Sequence, residues 1–426
     1  MTQRWDIVIV GGGLAGYVAA NYLAKTDLSI LILEKGRNVG GRARTTKINH
    51  QYLNLGPHAI YKKGKAKFIL ENLGIKLNGK SPKLAGDLIE NNMEYAAPFT
   101  PLGLFSSSFL NWKERIEWAT ILMKFNRIDT EKLTEQTFYQ WVQQAAVSKK
   151  VQSLLYILGR LATYCHAPEK VSAKLIVSHL KTVMGGVLYL DAGWQTIIDQ
   201  LHNNVVISGV QVQSSTVVKE LEPIEHEHFK LVLSNDEEIH GKYVICTTGP
   251  HELNKMLGEK LDRPQSSFLA QITPVRGATL DVALTQLPNP KKLFAMGITD
   301  PFYFSVHSKY ARLSDDAKSA VLHVFKYHHP DDHIDGKKVK TELEQFLEMM
   351  QPGWKKHEIT SRFIPQITVN HRLPQIGDEQ KFHRSKTNIP GLYIAGDWAS
   401  PDSILSEGAV SSGKQAAEEI IQKENR

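Results

Sequence analysis

Residues Trp5 to Val10 read W-D-I-V-I-V, an apolar, β-branched run of the kind that forms a strand buried on both faces. Gly11-Gly12-Gly13-Leu14-Ala15-Gly16 follows at once. An Ala-rich stretch with helical packing positions, Tyr17 to Thr26, comes next, and a second apolar run, Leu28 to Leu33, ends on Glu34. Strand, glycine turn, helix, strand and an acid about 20 residues on predict a βαβ unit that receives a dinucleotide. Gly11 permits the tight turn, Gly13 lets the backbone approach a pyrophosphate, and Gly16 allows close contact between helix and strand. The pyrophosphate is expected against the helix N-terminus, where the free N–H groups of Leu14 and Ala15 and the helix dipole favour negative charge. Glu34, with Lys35 beside it, is placed to accept hydrogen bonds from ribose hydroxyls, and its charge repels a 2′-phosphate.

The following segment, Gly36 to Thr45, reads G-R-N-V-G-G-R-A-R-T. Gly41 offers a further backbone approach and Arg42 a guanidinium donor, which suits a longer, bent dinucleotide with its phosphates partly enclosed. Asn54-Leu55-Gly56-Pro57-His58-Ala59 is another glycine-containing turn after a short strand.

Together these residues resemble the flavin-containing amine oxidase and phytoene desaturase superfamily, whose N-terminus runs from a GxGxxG turn through an acid to a GGR loop. The turn Leu55-Gly56-Pro57-His58 is more similar to the desaturase branch, where a Gly-Pro pair recurs at this place. The resemblance implies FAD as cofactor, with Gly56, Pro57, His58 and Ala59 approaching the flavin. The opposite end of the chain matches too. Leu392 to Asp397 (L-Y-I-A-G-D) is a strand ending in Gly-Asp, and Ser406 to Gly413 (S-E-G-A-V-S-S-G) opens the last helix. Gly396 allows a turn close to the ligand, and Asp397 can accept hydrogen bonds from ribityl hydroxyls or order water at the pyrophosphate. Ser406, Gly408 and Ala409 supply N–H groups at a helix start, which would stabilise negative charge on a reduced isoalloxazine ring. Ala409, Ser412, Gly413 and Ala416 give that helix a small-residue face for close packing.

Tyr189 to Gln195 (Y-L-D-A-G-W-Q) resembles the family's PxGG segment, with the proline absent and Trp194 in place of the second glycine. Val205 to Ile207 and Thr216 to Leu221 read as short strands. In the family, a valine at the position of Val218 contacts adenine through its backbone. Lys242 to Thr248 and Gly249-Pro250-His251 resemble the strand that leads back to the cofactor, with Cys246 packed inside it as a small hydrophobe.

The fold class expected is α/β. A discontinuous, Rossmann-like FAD-binding domain with the GxGxxG turn covers 1–75, 200–255 and 385–426, and an inserted α+β substrate domain covers 76–199 and 256–384. The first insertion is helical in pattern. Trp112, Ile116, Ala119 and Met123, and again Val151, Leu154, Leu155, Leu158 and Leu161, stand at helical spacing and read as core stripes. The second insertion alternates apolar and polar residues over Ala278 to Leu284 and Ser319 to Lys326, which predicts an antiparallel sheet. A sheet floor under a helical cover would leave a cavity beside the flavin.

Composition narrows the chemistry. The two cysteines, Cys165 and Cys246, form no CxxC pair, so if electrons move here a bound cofactor must carry them. Lys plus Arg number 51 against 44 acids among 426 residues, a formal +7. That bias is too dilute for a nucleic-acid binder and compatible with weak attraction to an anionic lipid surface. The dinucleotide motif begins almost at once, leaving no room for a signal peptide, and no apolar run reaches the length of a membrane-spanning helix. The expectation is a cytoplasmic protein, at most peripheral to a membrane.

The stretch His323, His328, His329, Asp331, Asp332 and His333 is broken by Pro330 and reads as a polar loop after a strand, not a metal site. No metal is expected. Cys165 and His166 are adjacent in sequence, which does not make a nucleophile–base pair. No Ser-His-Asp set or paired acid site stands out, as suits hydride removal by a flavin in an apolar, water-poor cavity. The resemblance thus implies an FAD-dependent oxidoreductase that takes a hydride from a small, lipophilic, isoprenoid- or carotenoid-like substrate and forms a C=C bond. Two alternatives stand beside it. One is a flavin amine oxidase acting on a C–N bond, for which Trp398 could form one wall of an aromatic cage. The other is a non-redox, escort-type protein that binds lipid or prenyl groups.

Overall fold

The strand Arg4–Val10 lies at the centre of a seven-stranded sheet. In the computed structural model, which describes residues 4–425 apart from 84, 225–227, 262, 383, 384 and 386, it pairs in parallel with Ile30–Leu33 on one side and Glu238–Cys246 on the other. Gln211–Gln213 extends the parallel part beyond Ile30–Leu33. Leu392–Ile394 joins the C-terminal half of Glu238–Cys246 in parallel, and an antiparallel ribbon, Val218–Ile224 with His228–Leu233, joins its N-terminal half. Residues from the start, the middle and the end of the chain therefore meet in one sheet.

The central strand is buried on both faces, and its alternation decides which core each residue enters. Ile7 and Ile9 pack under the helices Leu14–Leu23, Gln195–Ile207 and Leu405–Glu424, while Val8 and Val10 face Leu221, Phe229, Leu253 and Trp398 on the other side. The predicted small-residue face works at the crossing of the first and last helices. A Cβ on Gly413 would lie 2.4 Å from the Ala15 carbonyl oxygen.

One expectation fails within this layer. Val205 to Ile207 is not a strand but the last turn of the helix Gln195–Ile207. Its β-branched composition suggested a strand, yet Val205 continues the series Ile197, Ile198 and Leu201 that packs against the first helix. The edge strand is Gln211–Gln213 instead.

The second sheet also has seven strands. It runs in the order Glu358–Asn370, Val275–Leu284, Ala320–Tyr327, Phe302–Ser305, Phe294–Gly297, Asp87–Glu90 and Met93–Ala96. All its pairs are antiparallel except Phe294–Gly297 with Asp87–Glu90. The last two strands come from the segment expected to be helical. They are four residues each and turn through Asn91 and Asn92, both in the left-handed conformation (φ 50° and 63°), a hairpin too short to show a period in sequence. Helices Phe138–Ala145, Lys149–Thr163 and Ala173–Met184 pack over one face of this sheet, and Gly336–Met350 covers the other.

Of the two predicted helical stripes, one is core. Val151, Leu154 and Leu155 are fully buried. On the helix Trp112–Lys124 the stripe faces outward, with Trp112 67%, Ile116 58% and Met123 74% exposed. That helix carries a second apolar side, and Trp118, whose indole N–H donates to the Pro98 carbonyl at 2.7 Å, is the residue it buries. Among the described residues, no helix is long and apolar enough to cross a membrane.

Candidate active site

At the end of the strand Arg4–Val10 the chain turns through Gly11, in the left-handed region at φ 116°, with a Cβ position only 2.4 Å from Thr247 Oγ1. Gly13 is the N-cap of the helix Leu14–Leu23 and no side chain caps it. The N–H groups of the first turn therefore have no helical partner. The space in front of them is open, since a Cβ built on Gly13 would meet nothing within 4 Å. Glu34 closes the neighbouring strand. Its two carboxylate oxygens accept from the N–H groups of Gly12 (2.8 Å) and Gly36 (2.6 Å), which holds the acid beside the glycine turn.

The arginine loop folds back onto that turn. The Gly40 N–H donates to the Gly12 carbonyl at 2.7 Å, and a Cβ on Gly41 would lie 3.4 Å from Gly13 Cα. Arg42 then reaches the other end of the chain. Nη1 and Nη2 donate to Asp397 Oδ2 and Oδ1 at 2.6 and 2.8 Å, a bidentate pair. The backbone N–H of His371 donates to Asp397 Oδ2 at 2.9 Å. Burial opposes ionisation of Asp397, but the Arg42 charge and hydrogen bonds, joined by His371, outweigh it and hold the carboxyl well below the usual range.

These residues line one cavity of about 700 Å³. Gly11, Gly13, Leu14, Ala15, Glu34, Lys35, Gly41, Arg42, Pro57, His58, Ala59, Val218, Gly249, Gly396, Asp397, Ser406 and Ala409 all reach its wall. Three of the expected site residues do not. A Cβ on Gly16 would sit 2.1 Å from the Gly11 carbonyl oxygen, and one on Gly408 would sit 2.9 Å from the carbonyl oxygens of Asp397 and Ser403. Gly56 faces Thr279. All three are packing positions behind the wall. Trp398 is no cage wall either. It is fully buried, its indole N–H donates to the Thr248 carbonyl at 2.8 Å, and it packs against Phe382.

Trp194 does reach the cavity. The chain passes Ala192 and Gly193 with φ 56° and 79°, and the indole then meets the His58 ring edge-on, centroids 5.2 Å apart. The His58 ring nitrogens lie 3.0 and 3.1 Å from the carbonyl oxygens of Gly56 and Arg42, so this histidine ties the Gly-Pro turn to the arginine loop. Burial pushes it below the ordinary imidazole range. Thr247, from the strand expected to lead back to the cofactor, also lines the cavity, as do Val369 and His371, which no sequence motif marks.

Beyond the glycine loops the cavity continues between the second sheet and its helical cover. The wall there is made by Tyr61, Leu161, Tyr164, Val183, Tyr189, Phe294, Tyr303, His307, Phe325 and Tyr327. Burial raises the phenols of Tyr61, Tyr164, Tyr303 and Tyr327, and it lowers His307, so these groups are neutral around pH 7. His307 stacks on Tyr189 with centroids 3.8 Å apart and an interplanar angle of 13°, and its Nε2 lies 3.1 Å from the Tyr303 hydroxyl.

Behind this wall lies an ion group the sequence did not show. Asp281 is fully buried, 2.7 Å from both His323 Nδ1 and Arg362 Nη2, and it accepts from the Thr279 hydroxyl at 2.8 Å. His323 thus belongs to the strand Ala320–Tyr327 and not to a polar loop; only the later part of the histidine stretch forms one. Among the described residues, no group of three or more His, Cys, Asp or Glu side chains could hold a metal ion.

The cavity fits a dinucleotide flavin by its donor set: free N–H groups at two helix starts, an acid at the end of the second strand, and an indole N–H of Trp194 that is buried on the wall with no acceptor among the described residues. Residues 14–421 match the family of flavin containing amine oxidoreductases. The chain is 21% identical over 477 residues to "Probable flavin-containing monoamine oxidase A" of Dictyostelium discoideum, covering 99% of each. It is 22% identical over 462 residues to the 15-cis-phytoene desaturase of Capsicum annuum, covering 99% of this chain and 78% of that one. Among solved structures, cyclohexylamine oxidase from Brevibacterium oxydans superposes with a TM-score of 0.75 at 14% identity, over 99% of this chain and 100% of that one. The glycine turn, the acid, the arginine loop and the terminal Gly-Asp thus sit together at the wall of one cavity in a chain matched almost end to end, and the protein belongs to the flavin-containing amine oxidoreductase family, an FAD-dependent group of oxidoreductases.

Proposed function

We propose that this FAD-dependent oxidoreductase removes a hydride from an uncharged, lipophilic substrate of isoprenoid or carotenoid type and leaves it with a new C=C bond. The observation that carries this reading is the character of the cavity beyond the glycine loops. Its wall is aliphatic and aromatic, and the acids that reach the cavity, Glu34, Glu252 and Asp397, stand at the dinucleotide end. An ammonium substrate entering the apolar end would lose its hydration without gaining a carboxylate partner. An apolar chain loses nothing there and gains contact area. The 22% identity with a phytoene desaturase over the whole chain supports the same reading.

When bound, FAD supplies the two-electron acceptor. The residues described do the rest. The glycine loops and Arg42 would hold the diphosphate, Glu34 and Lys35 would receive the ribose, and Asp397 with the Ser406 N–H would face the flavin. The expected Gly408 and Ala409 N–H groups are not free, because the helix begins at Leu405 and Gly408 already donates to the Ile404 carbonyl. Tyr189, Tyr303 and the aliphatic residues orient the substrate and exclude water. In this reading 1–75, 200–255 and 385–426 form the cofactor domain, and 76–199 and 256–384 the substrate domain. The two sheets support the division, although the helix Gln195–Ile207 straddles residue 200 and packs with the cofactor layer.

A second reading, oxidation of a C–N bond, is supported by the end-to-end similarity to the Dictyostelium protein. Anaerobic mixing of the holoenzyme with substrates separates the two. Bleaching of the flavin by apolar polyene precursors delivered in detergent, with no response to a broad amine panel, is the expected result. Bleaching by amines alone would replace the first reading with the second.

A further inference from the structure

We propose that the outward faces of the helices Pro101–Ser106 and Trp112–Lys124 dock this protein on an anionic lipid surface. Fifteen large apolar side chains are exposed among the described residues, and five of them, Leu102, Phe105, Trp112, Ile116 and Met123, fall within one short segment of the chain. Their spacing is helical. Leu102 and Phe105 stand three apart on a helix that buries none of its residues. Trp112, Ile116, Ala119 and Met123 occupy an arc of about 60° on the next one. Arg115 ties the two together, donating to the carbonyl oxygens of Phe105, Ser107 and Leu110 at 3.0, 2.6 and 3.1 Å. The apolar face is thus built on ordered backbone. An isolated apolar side chain on a surface needs no explanation, but a row of five does.

Charge identifies the occupant. Lys113 and Lys124 lie along one edge of the apolar arc and Arg127 follows it, all three exposed and in no ion pair among the described residues. The acids nearby are engaged within the chain; exposed Asp129 accepts from the Glu131 N–H at 3.1 Å. Glu114 accepts from the Asn111 N–H and the Ser148 hydroxyl, both at 2.8 Å, and Glu117 accepts from the N–H groups of Val147 and Ser148. Glu131 pairs with Lys174. A second copy of this chain seated on the same patch by a two-fold axis would bring like cations together, while the nearby acids already bond within their own chain. An anionic membrane satisfies both parts of the surface. The apolar side chains enter the headgroup and acyl boundary, the Trp112 ring sits at the interface with Lys113 over its face at 5.7 Å, and the lysines reach phosphate.

Vesicle flotation of the holoenzyme tests this. The protein should float with vesicles of phosphatidylcholine and phosphatidylserine, less with phosphatidylcholine alone, and less as salt is raised. The triple variant Leu102→Ser, Phe105→Ser, Ile116→Ser should lose about tenfold in vesicle binding while keeping its flavin content and Tm, because these side chains are already in water. The pair Lys113→Glu, Lys124→Glu should weaken binding to the phosphatidylserine vesicles only. Wild-type protein that stays at the bottom of the gradient overturns the proposal. So does a triple variant that floats as well as wild type, or a wild-type dimer that the same substitutions turn into monomer. Flotation does not depend on the substrate, so its failure leaves the reading of the active site untouched.

Discussion

Arg42 and Asp397 are 355 positions apart and form a single bidentate ion pair at 2.6 and 2.8 Å. One side chain belongs to the loop after the first βαβ unit and the other to the turn after the last strand. Both line the cavity, so the pair closes the dinucleotide site across the sheet from which the two ends of the chain emerge. Asp397→Asn removes the charge that Arg42 answers and leaves a half-buried guanidinium with a neutral partner. A loss of about 2–3 kcal/mol in holoenzyme stability is expected, with a weaker hold on FAD. Flavin content after dialysis, together with Tm, measures it; unchanged flavin retention would show that the pair does not serve the cofactor.

Glu407 gives the protein an unusual pH response. It lies in the first turn of the last helix, 4% exposed, where it accepts from the Ala66 N–H at 2.9 Å, and burial pushes its carboxyl up from 4.5 to about 7. Between these values the folded chain holds a proton that the unfolded chain releases. The stabilisation from this group is therefore complete below about pH 4.5 and declines as pH rises towards about 7. Glu407→Gln keeps an acceptor for Ala66 and removes the charge. The variant should match wild type near pH 4.5 and exceed it by about 2 kcal/mol near pH 8, as read by denaturant unfolding across pH.

The crossing of the first and last helices depends on Gly413, whose missing Cβ leaves room for the Ala15 carbonyl. Gly413→Val must push the two helices apart at the point where the glycine turn offers its N–H groups. We expect a stability loss of about 3 kcal/mol or more, and FAD loss that exceeds that of equally destabilised variants elsewhere. Flavin content plotted against Tm for a variant series distinguishes the two effects.

Asp281 supports the wall without touching the cavity. Asp281→Asn strips Arg362 of its buried counter-charge and alters the acceptor set at His323 Nδ1, and should cost about 3 kcal/mol. The rate of anaerobic flavin reduction in the folded fraction should stay within about twofold of wild type. A much larger fall in that rate would make this ion group part of the chemistry.

The apolar end of the cavity carries the substrate reading, and Leu161→Lys challenges it directly. A cation placed on that wall should lower the rate of flavin reduction by an apolar substrate about 100-fold at subsaturating concentration, with FAD retained. Stopped-flow reduction measures it, and an unchanged rate would move the substrate elsewhere.

What could be read from the sequence is what local geometry decides. A run such as W-D-I-V-I-V before G-G-G-L-A-G leaves a strand, a tight turn and a helix start little choice, because the free N–H groups and the room for a phosphate are made by neighbours in the chain. The terminal Gly-Asp and the small-residue helix were legible for the same reason. Periodicity, however, states only that a face is apolar and never what covers it. The row Trp112, Ile116, Met123 is as helical in its spacing as the buried row Val151, Leu154, Leu155, yet one faces solvent and the other lies in the core. The β-branched end of the helix Gln195–Ile207 likewise follows its contact with the first helix over its own propensity. The group around Asp281 joins three strands of the second sheet, and Arg42 finds Asp397 from the far end of the chain. Such long-range pairs leave no trace at fixed spacing, so only the tertiary fold could decide them.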